Sequence, residues 1–410
     1  MNPLRPTKKL NPWTVALAAA GVITLPSLML AEEKLSPLET ALSSTTLSGF
    51  VDTSAIWKFG TGNGGHGVNN PQPGDTFPGR SYDGTGKQDG FNLNAIFLTL
   101  SKPLGDTPWA AGYNFTMMYG PDAVNYNQSP GAALADVALK DAYVNLKVPL
   151  GNGLTVKLGN YTEFLGYEVI ESANDPNFSR SYGYFVEPTQ LTGALASYQF
   201  NDIIGAQAGV ANTWSPGLNA RPTRAGKPAA ESEKTYMGLL TLTAPKSAGW
   251  LSGSTLSVGV MDGLGAGAAS PASDITSFYV GGTTPTPWKP LQVGYAWEYR
   301  GTKQIGGVPS AYANAASLYL LYQAAEKLKF ASRTEYATGS AGTWYTVNPA
   351  TTPHPRNQVF AWTFTTDYSL WANVISRVEF RWDHDLTSQR PFGVADNNAL
   401  SLALNLIYKF

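Results

Sequence analysis

The stretch ALSLALNLIYKF, Ala399–Phe410, ends the chain and decides its fold class. Every second residue from Leu400 to Phe410 is a large apolar or aromatic one. The residues between them are small or polar, with Ile407 as the one apolar exception. Period-2 alternation is the pattern of a strand that has one face in an apolar environment. Its length of 12 residues exceeds that of most strands in soluble domains and suits a tilted strand that crosses a bilayer.

Tyr408 and Phe410 are the last two members of this apolar face. Bacterial outer-membrane barrels characteristically finish on such a strand, and the barrel-assembly machinery recognises its terminal aromatic residue. We therefore expect Tyr408 and Phe410 to form an assembly signal. The expected partners are that machinery and the lipid of the outer membrane of a Gram-negative-type bacterium.

The alternation of the last strand recurs along the chain. In the segments Leu291–Tyr299 and Phe360–Phe364, for example, every second residue is apolar or aromatic. The sequence predicts an all-β fold, a transmembrane antiparallel up-and-down β-barrel over 46–410. It has about 16 strands, with 14 and 18 as the alternatives. The predicted strands are 46–59, 91–103, 108–119, 137–149, 153–162, 190–200, 203–215, 234–244, 253–262, 275–284, 289–301, 311–323, 328–338, 357–369, 372–384 and 399–410.

Short and long connections alternate between these strands. Gly105-Asp106 and Gly151-Asn152 mark tight turns after the second and fourth strands, whereas 60–90 and 163–189 are long. Outer-membrane barrels have short periplasmic turns and longer external loops. A soluble sandwich has no reason to keep that alternation, so the pattern favours the membrane barrel and predicts its orientation.

The N-terminus predicts export. Arg5, Lys8 and Lys9 precede an apolar stretch from Trp13 to Leu30, the pattern of a signal peptide over 1–31. The alternative is a transmembrane anchor helix, for which the stretch is marginal in length. A short segment, 32–45, follows and is predicted to carry a helix over 37–42.

Composition excludes several classes of function. Without the 3 basic residues of the leader, 25 basic and 29 acidic side chains remain, a net charge of −4 that is no footprint for nucleic acid. The chain has no cysteine, which excludes disulfides and thiolate chemistry. The 3 histidines lie apart from any orienting partner, so the sequence indicates no catalytic site, cofactor or metal.

Charged residues occupy the strand face opposite the apolar one. With Val378, Phe380 and Trp382 towards lipid, Arg377 and Arg381 point inward, and by the same rule so do Lys157 and Arg333. Unpaired charges in a dry interior cost several kcal/mol each, so this lumen must hold water. A structural ladder of salt bridges between neighbouring charges is the alternative, and it too implies a polar interior.

The third long loop, 163–189, reads EFLGYEVIESANDPNFSRSYGYFVEPT. It carries six aromatic residues, more than a solvated loop needs, so we expect it to fold against the inner wall and form a pore constriction with the wall charges. An external loop packed on its neighbours is the alternative. The loop carries five carboxylates against one arginine, so we expect a mild preference for cations, which the wall arginines oppose. The charged loop residues are Glu163, Glu168, Glu171, Asp175, Arg180 and Glu187.

Three segments resemble a known family. LKVPLGNGLTVKLG (146–159), LGYEVIE (165–171) and NFSRSY (177–182) are similar to the β-barrel porin-2 family of OmpL-like proteins. The resemblance covers roughly 45–410 and is specific around 141–183. It implies an outer-membrane porin with an inward-folded third loop, and it implies no particular solute.

The expected function is passive diffusion of small hydrophilic solutes and ions through a water-filled lumen that the third loop narrows. The alternative is a structural or adhesive barrel with a plugged lumen and external loops that bind a partner. A homotrimer is the usual assembly for 16 strands, by analogy alone.

Overall fold

The computed structural model describes residues 44–59, 90–125, 137–162, 164–214, 217–222, 232–265, 273–304, 310–345, 356–392 and 396–410. The predicted leader, the predicted helix over 37–42 and Glu163 lie outside these ranges. No helix within them is long and apolar enough to cross a membrane.

Sixteen antiparallel strands close into one barrel, which confirms the predicted fold class and strand number. Each strand pairs with its neighbours in sequence, and β1 pairs with β16 to close the ring. In the described connections, four 3₁₀ segments lie between strands, over Pro121–Asn125, Ser172–Asn174, Gly183–Phe185 and Lys246–Leu251. The strands are β1 Thr46–Phe59, β2 Gly90–Lys102, β3 Ala111–Tyr119, β4 Val137–Val148, β5 Leu154–Thr162, β6 Gln190–Gln199, β7 Ile204–Ala211, β8 Thr235–Thr243, β9 Thr255–Leu264, β10 Ser273–Pro285, β11 Leu291–Gln304, β12 Ala311–Ala325, β13 Leu328–Ser340, β14 Arg356–Trp371, β15 Val374–Asp385 and β16 Asn398–Lys409.

The two faces of the strands differ as the alternation predicts. On β14 the outward Trp362 and Phe364 are each 36% exposed, whereas the inward Thr363 and Thr365 are fully buried. Outward-facing aromatic rings also stack on one another, as Phe330 does on Phe364. The outer surface is therefore apolar and continuous, which suits contact with lipid.

Closure of the barrel depends on the last residues of the chain. The backbone amides of Gly49 and Phe410 each donate to the other residue's carbonyl, at 2.9 and 3.0 Å. Ile407, the apolar exception in the sequence pattern, is fully buried inside the barrel, where it packs with Phe50 and the partly buried Ile375. Ile407 occupies an inward position of the period-2 pattern. An apolar side chain is stable there because the neighbouring side chains inside the barrel are also apolar.

Two strands are shorter than predicted by more than two residues. β3 begins at Ala111 and not at 108, because Trp109 has a φ of +60°, which no strand residue adopts. β7 ends at Ala211, after which the backbone amide of Trp214 bonds the carbonyl of Leu264. Both differences lie where the chain leaves the barrel wall, and neither changes the strand order.

Short and long connections alternate around the ring except at one place, where 244–254, with 11 residues, is longer than the following 265–272, with 8. The turns at one end include 149–153, 286–290, 326–327 and 372–373, whereas the connections at the other end include 163–189 and 386–397. We call the first the short-turn end of the barrel.

A topology prediction follows from this asymmetry. Protease sites inserted into 60–89 or 346–355 are expected to be cleaved on intact cells, because long connections face outward in outer-membrane barrels. The same site inserted at 326–327 serves as the matched control and is expected to resist. Cleavage at 326–327 with protection of the long connections would reverse the orientation.

Candidate functional site

The inward faces of β13 and β15 carry a dense set of charges. Arg333 and Glu335 lie on β13, and Arg377, Arg381 and Asp383 lie on β15, all of them at most 3% exposed. A buried charge is tolerated only when it is paired and fully hydrogen-bonded. These side chains find their partners in each other and in the third loop.

Arg333 is the centre of the largest network. Its Nε bonds Glu335 at 2.6 Å and its Nη1 bonds Glu168 of the third loop at 2.8 Å. Nη1 and Nη2 also donate to the carbonyls of Ser179 and Arg180 at 2.6 and 3.0 Å. One guanidinium thus holds two separate parts of the third loop against β13.

Arg377 and Arg381 bind the loop through its backbone. Arg377 donates from Nη1 and Nη2 to the carbonyls of Ser172 and Asp175, each at 2.7 Å. Arg381 donates from Nη1 to the carbonyl of Arg180 at 2.6 Å. Charge-assisted hydrogen bonds of this kind are the strong ones, and guanidinium groups make them in fixed geometry.

Wall carboxylates accept hydrogen bonds from the backbone amides of the loop, whereas the wall arginines donate to its carbonyls. The two oxygens of Glu379 accept from the backbone amides of Phe178 and Ser179 at 2.6 and 2.9 Å. Glu335 accepts from the backbone amide of Tyr182 at 2.6 Å. The wall therefore binds both the donors and the acceptors of the 172–182 backbone.

The salt-bridge ladder expected along β15 is present only in part. Arg381 pairs with Asp383 at 2.8 Å, two residues away on the same strand. Arg377 pairs with Asp367 of β14 at 3.0 Å, its cross-strand partner. The carboxylate of Glu379 is taken by the loop amides, which leaves the guanidinium of Arg377 to the neighbouring strand.

Three of the predicted loop carboxylates are ion-paired. Glu168 binds Arg333 as described, and Asp175 pairs with Arg180 inside the loop at 2.6 Å. Glu171 pairs with Lys140 of β4 at 2.8 Å. In the sequence analysis these loop carboxylates have no partners, whereas in the structure the cations that pair with them largely neutralise the negative charge of the loop.

Burial changes the protonation of two loop acids. It raises the pKa of the Asp175 carboxyl to about 8, although Arg180 acts in the opposite direction. Burial raises the pKa of Glu187 well above its ordinary range, and the nearby carboxylates of Glu298 and Glu168 raise it further. Since both folded-state pKa values are raised, the stability these acids contribute is largest at acidic pH and falls as the pH rises.

The remaining predicted wall residue, Lys157 on β5, lies apart from the arginines. Its ammonium group sits over the ring of Tyr143, 4.3 Å from the centroid, and 5.5 Å from that of Tyr161. These are cation–π distances. Lys157 therefore interacts with the aromatic rings of β4 and β5.

Apolar residues of the loop pack against four parts of the inner wall. Leu165, Ile170, Phe178 and Tyr182 each lie in a different cluster of buried residues. Gly183 lies so close to Glu298 that a Cβ there would come within 2.3 Å of its carboxylate. The path of the loop is thus fixed by packing as well as by charge.

Between the loop and the short-turn end lies a cavity of about 790 Å³. Glu171, Asp175 and Arg377 line it, so they are the predicted site residues that border open space. We call this space the vestibule. Its other charged lining residues are Lys289, Lys329, Asp367 and Lys409.

By the same alternation that places Arg333 and Arg377 inward, Glu335, Glu379 and Asp383 also face inward, but sequence reasoning did not identify them as loop-binding residues. The signal that was missed is that inward charges recur at alternate positions on both β13 and β15. Two strands that carry such charges can bind the same segment of loop backbone. Asp52 of β1 gave no comparable signal. Its carboxylate accepts from Asn94 and Asn405 at 2.8 and 2.5 Å, and from the hydroxyl of Ser172 in the loop.

Glu168 and Glu171 are expected to respond differently to the same change. Glu171→Gln removes a vestibule charge, so the reversal potential in a KCl gradient should move towards anions while the loop stays resistant to protease. Glu168→Gln weakens a buried bond to a charged group, about 1–3 kcal/mol, so the loop should be cleaved faster. Identical behaviour of the two variants in both assays would contradict this division of roles.

Comparison with known proteins agrees with the geometry. The channel DcaP of Acinetobacter baumannii is 14% identical, with a TM-score of 0.56 over 89% of this chain and 97% of that one. An anion-selective porin from Comamonas acidovorans is 12% identical, with a TM-score of 0.56 over 90% and 99%. OmpT of Vibrio cholerae is 11% identical, with a TM-score of 0.54 over 89% and 97%. At this identity these likenesses show the fold alone.

Sequence comparison identifies the family. No curated protein matches the chain significantly. The family model described as "Putative beta-barrel porin-2, OmpL-like" matches residues 44–410, which include all sixteen strands. The resemblance carried by 146–159, 165–171 and 177–182 is thereby confirmed: the chain belongs to the β-barrel porin-2, OmpL-like family of the Gram-negative-type outer membrane.

Proposed function

We propose that the protein is a passive diffusion channel for small hydrophilic solutes and ions, narrowed by the third loop. The observation that carries this proposal is the polar vestibule of about 790 Å³ inside a barrel whose outer face is apolar. Charged and amide groups in such a lumen keep it wet. The family and the fold support a channel rather than an enzyme.

The predicted constriction residues divide into two groups in this proposal. Glu171, Asp175 and Arg377 border the vestibule, and the charges of Glu171 and Arg377 act on a passing ion. Arg333 and Arg381, together with Glu168, Arg180 and Glu187 of the loop, hold the loop in place. Lys157 and Glu163 complete the predicted set, the first beside Tyr143 and the second outside the described residues.

Liposome swelling tests the proposal with neutral solutes. Vesicles containing the folded protein should swell quickly in arabinose and slowly in raffinose, because a narrowed lumen sorts by size. Vesicles carrying heat-denatured protein are the control. Equal, slow swelling in both sugars would contradict diffusion through the barrel.

A structural or adhesive barrel with a plugged lumen is the second candidate. The observation that favours it is the packing of the loop against four apolar clusters of the wall. It differs from the first in one measurable respect, since a plugged barrel remains impermeable to arabinose.

We also propose a homotrimer that is inserted into outer-membrane lipid by the barrel-assembly machinery. One solved form of OmpT of Vibrio cholerae is described as a trimer, and it matches this fold with a TM-score of 0.55 at 9% identity. Light scattering of the detergent-solubilised protein tests this assembly. A mass of one chain at all concentrations would contradict it.

A further inference from the structure

We propose that the vestibule is a binding site for small organic carboxylates, so that the channel favours anions of this class. The inference rests on the proposed function for its consequence in transport, whereas the binding itself is a property of the folded barrel. It is carried by the balance of charge in the vestibule, by where the basic groups lie, and by the apolar surface beside them.

The charge balance of the vestibule is positive. Four basic and three acidic side chains line it. Asp175 is paired with Arg180, which is not a lining residue. Glu171 shares Lys140 with Asp141, so that pair does not cancel its charge. The remaining lining groups are four cations against Glu171 and Asp367, an excess of two positive charges.

The basic groups gather at one level of the barrel. Lys329 of β13 lies opposite Asp367 of β14, which lies opposite Arg377 of β15. Lys409 of β16 borders the same space, with its ammonium group 3.3 Å from the carbonyl of Ala173 in the loop. Lys289 adds a fourth cation from the turn at 286–290.

Two of these cations have no anionic partner. Within the described part of the chain, the ammonium groups of Lys289 and Lys329 form no salt bridge, and both side chains are exposed to the vestibule or its mouth. Within the described residues, Asp367 is the salt-bridge partner of Arg377, and Lys329 lies opposite Asp367 on the neighbouring strand without a salt bridge to it. A cleft with charge of one sign and low-dielectric walls concentrates counter-ions.

The surface beside the cations is apolar. Leu321, Ala331 and Ile375 line the vestibule from the inward faces of β12, β13 and β15, and Val169 lines it from the loop. Burial of methylene groups against such a surface contributes about 0.8 kcal/mol for each CH₂. A carboxylate with a short alkyl chain therefore matches the site better than an inorganic anion does.

Butyrate and n-butylammonium form a matched pair of probes, because they share an alkyl chain and carry opposite charges. Saturation-transfer NMR on the folded, detergent-solubilised protein should give a signal for butyrate and a weak one for n-butylammonium. In the triple variant, Lys289→Gln/Lys329→Gln/Lys409→Gln, the butyrate signal should fall roughly tenfold. Charged clefts raise the local concentration of counter-ions by roughly tenfold or more, and the triple variant should lose that increase. The single variant Lys289→Gln should lower the butyrate signal less than the triple variant does.

Lys327→Gln is the control, since Lys327 is exposed in the turn 326–327 and does not line the vestibule. It should leave the butyrate signal unchanged. Heat-modifiable migration verifies that each variant is folded. Equal butyrate signals from the wild type and the triple variant, or equal signals from butyrate and n-butylammonium, would overturn the site.

Bilayer recordings separate this inference from the proposed function. With KCl on both sides at different concentrations, the wild type should show chloride preference, and the triple variant should lose it. Conductance without a change of reversal potential in the triple variant would overturn anion preference and leave the channel intact. A folded protein that binds butyrate but passes no current would overturn the channel and leave the site intact.

Discussion

Replacement of Arg333 by methionine is expected to release the third loop from the wall. The substitution leaves Glu168 and Glu335 buried without their cation, and it removes the bonds to the carbonyls of Ser179 and Arg180. Breaking a buried pair in this way costs about 3–5 kcal/mol. We expect rapid proteolysis within the loop and a larger, noisier single-channel conductance.

Two further variants sharpen this result. Arg390→Met removes an exposed arginine from the connection 386–397 and should change neither proteolysis nor conductance. Arg333→Met combined with Glu168→Gln and Glu335→Gln removes the uncompensated charges and should recover part of the lost protease resistance. A loop that stays resistant in Arg333→Met would show that apolar packing alone holds it.

Deletion of Tyr408–Phe410 is expected to reduce the yield of folded barrel severely. The deletion removes both hydrogen bonds between Gly49 and Phe410 and the end of the pairing of β16 with β1. An unpaired strand edge in lipid leaves backbone groups unsatisfied, each at a cost of several kcal/mol. Heat-modifiable migration of outer-membrane fractions measures the folded fraction.

Lys409→Gln is the matched control for the deletion. It changes a side chain between the two aromatic residues and leaves the backbone pairing in place, so folded yield should stay close to that of the wild type. A normal yield of folded barrel from the deletion would refute the role of Tyr408 and Phe410 in assembly.

The strands, their number and the direction of their faces could be predicted because each depends on local pattern. Alternation with period 2 fixes which residues point outward, as Trp362 and Phe364 do, and turn residues fix where strands end. The prediction failed at Trp109, since the apolar alternation continues past the point where the backbone turns.

The partners inside the barrel could not be predicted in the same way. The pairing of Arg377 with Asp367 rather than with its own neighbour Glu379 depends on where the third loop lies. The loop in turn follows contacts between residues more than 150 positions apart, such as Arg333 with Glu168. Alternation within a strand carries no information about such distant pairs.

Single-channel recording of the purified wild-type protein in a planar bilayer tests the central claim most directly. A water-filled lumen predicts stable, discrete current steps that scale with salt concentration, from protein that migrates as a folded barrel. Absence of any current step from folded, correctly inserted protein would contradict the account and favour a plugged barrel.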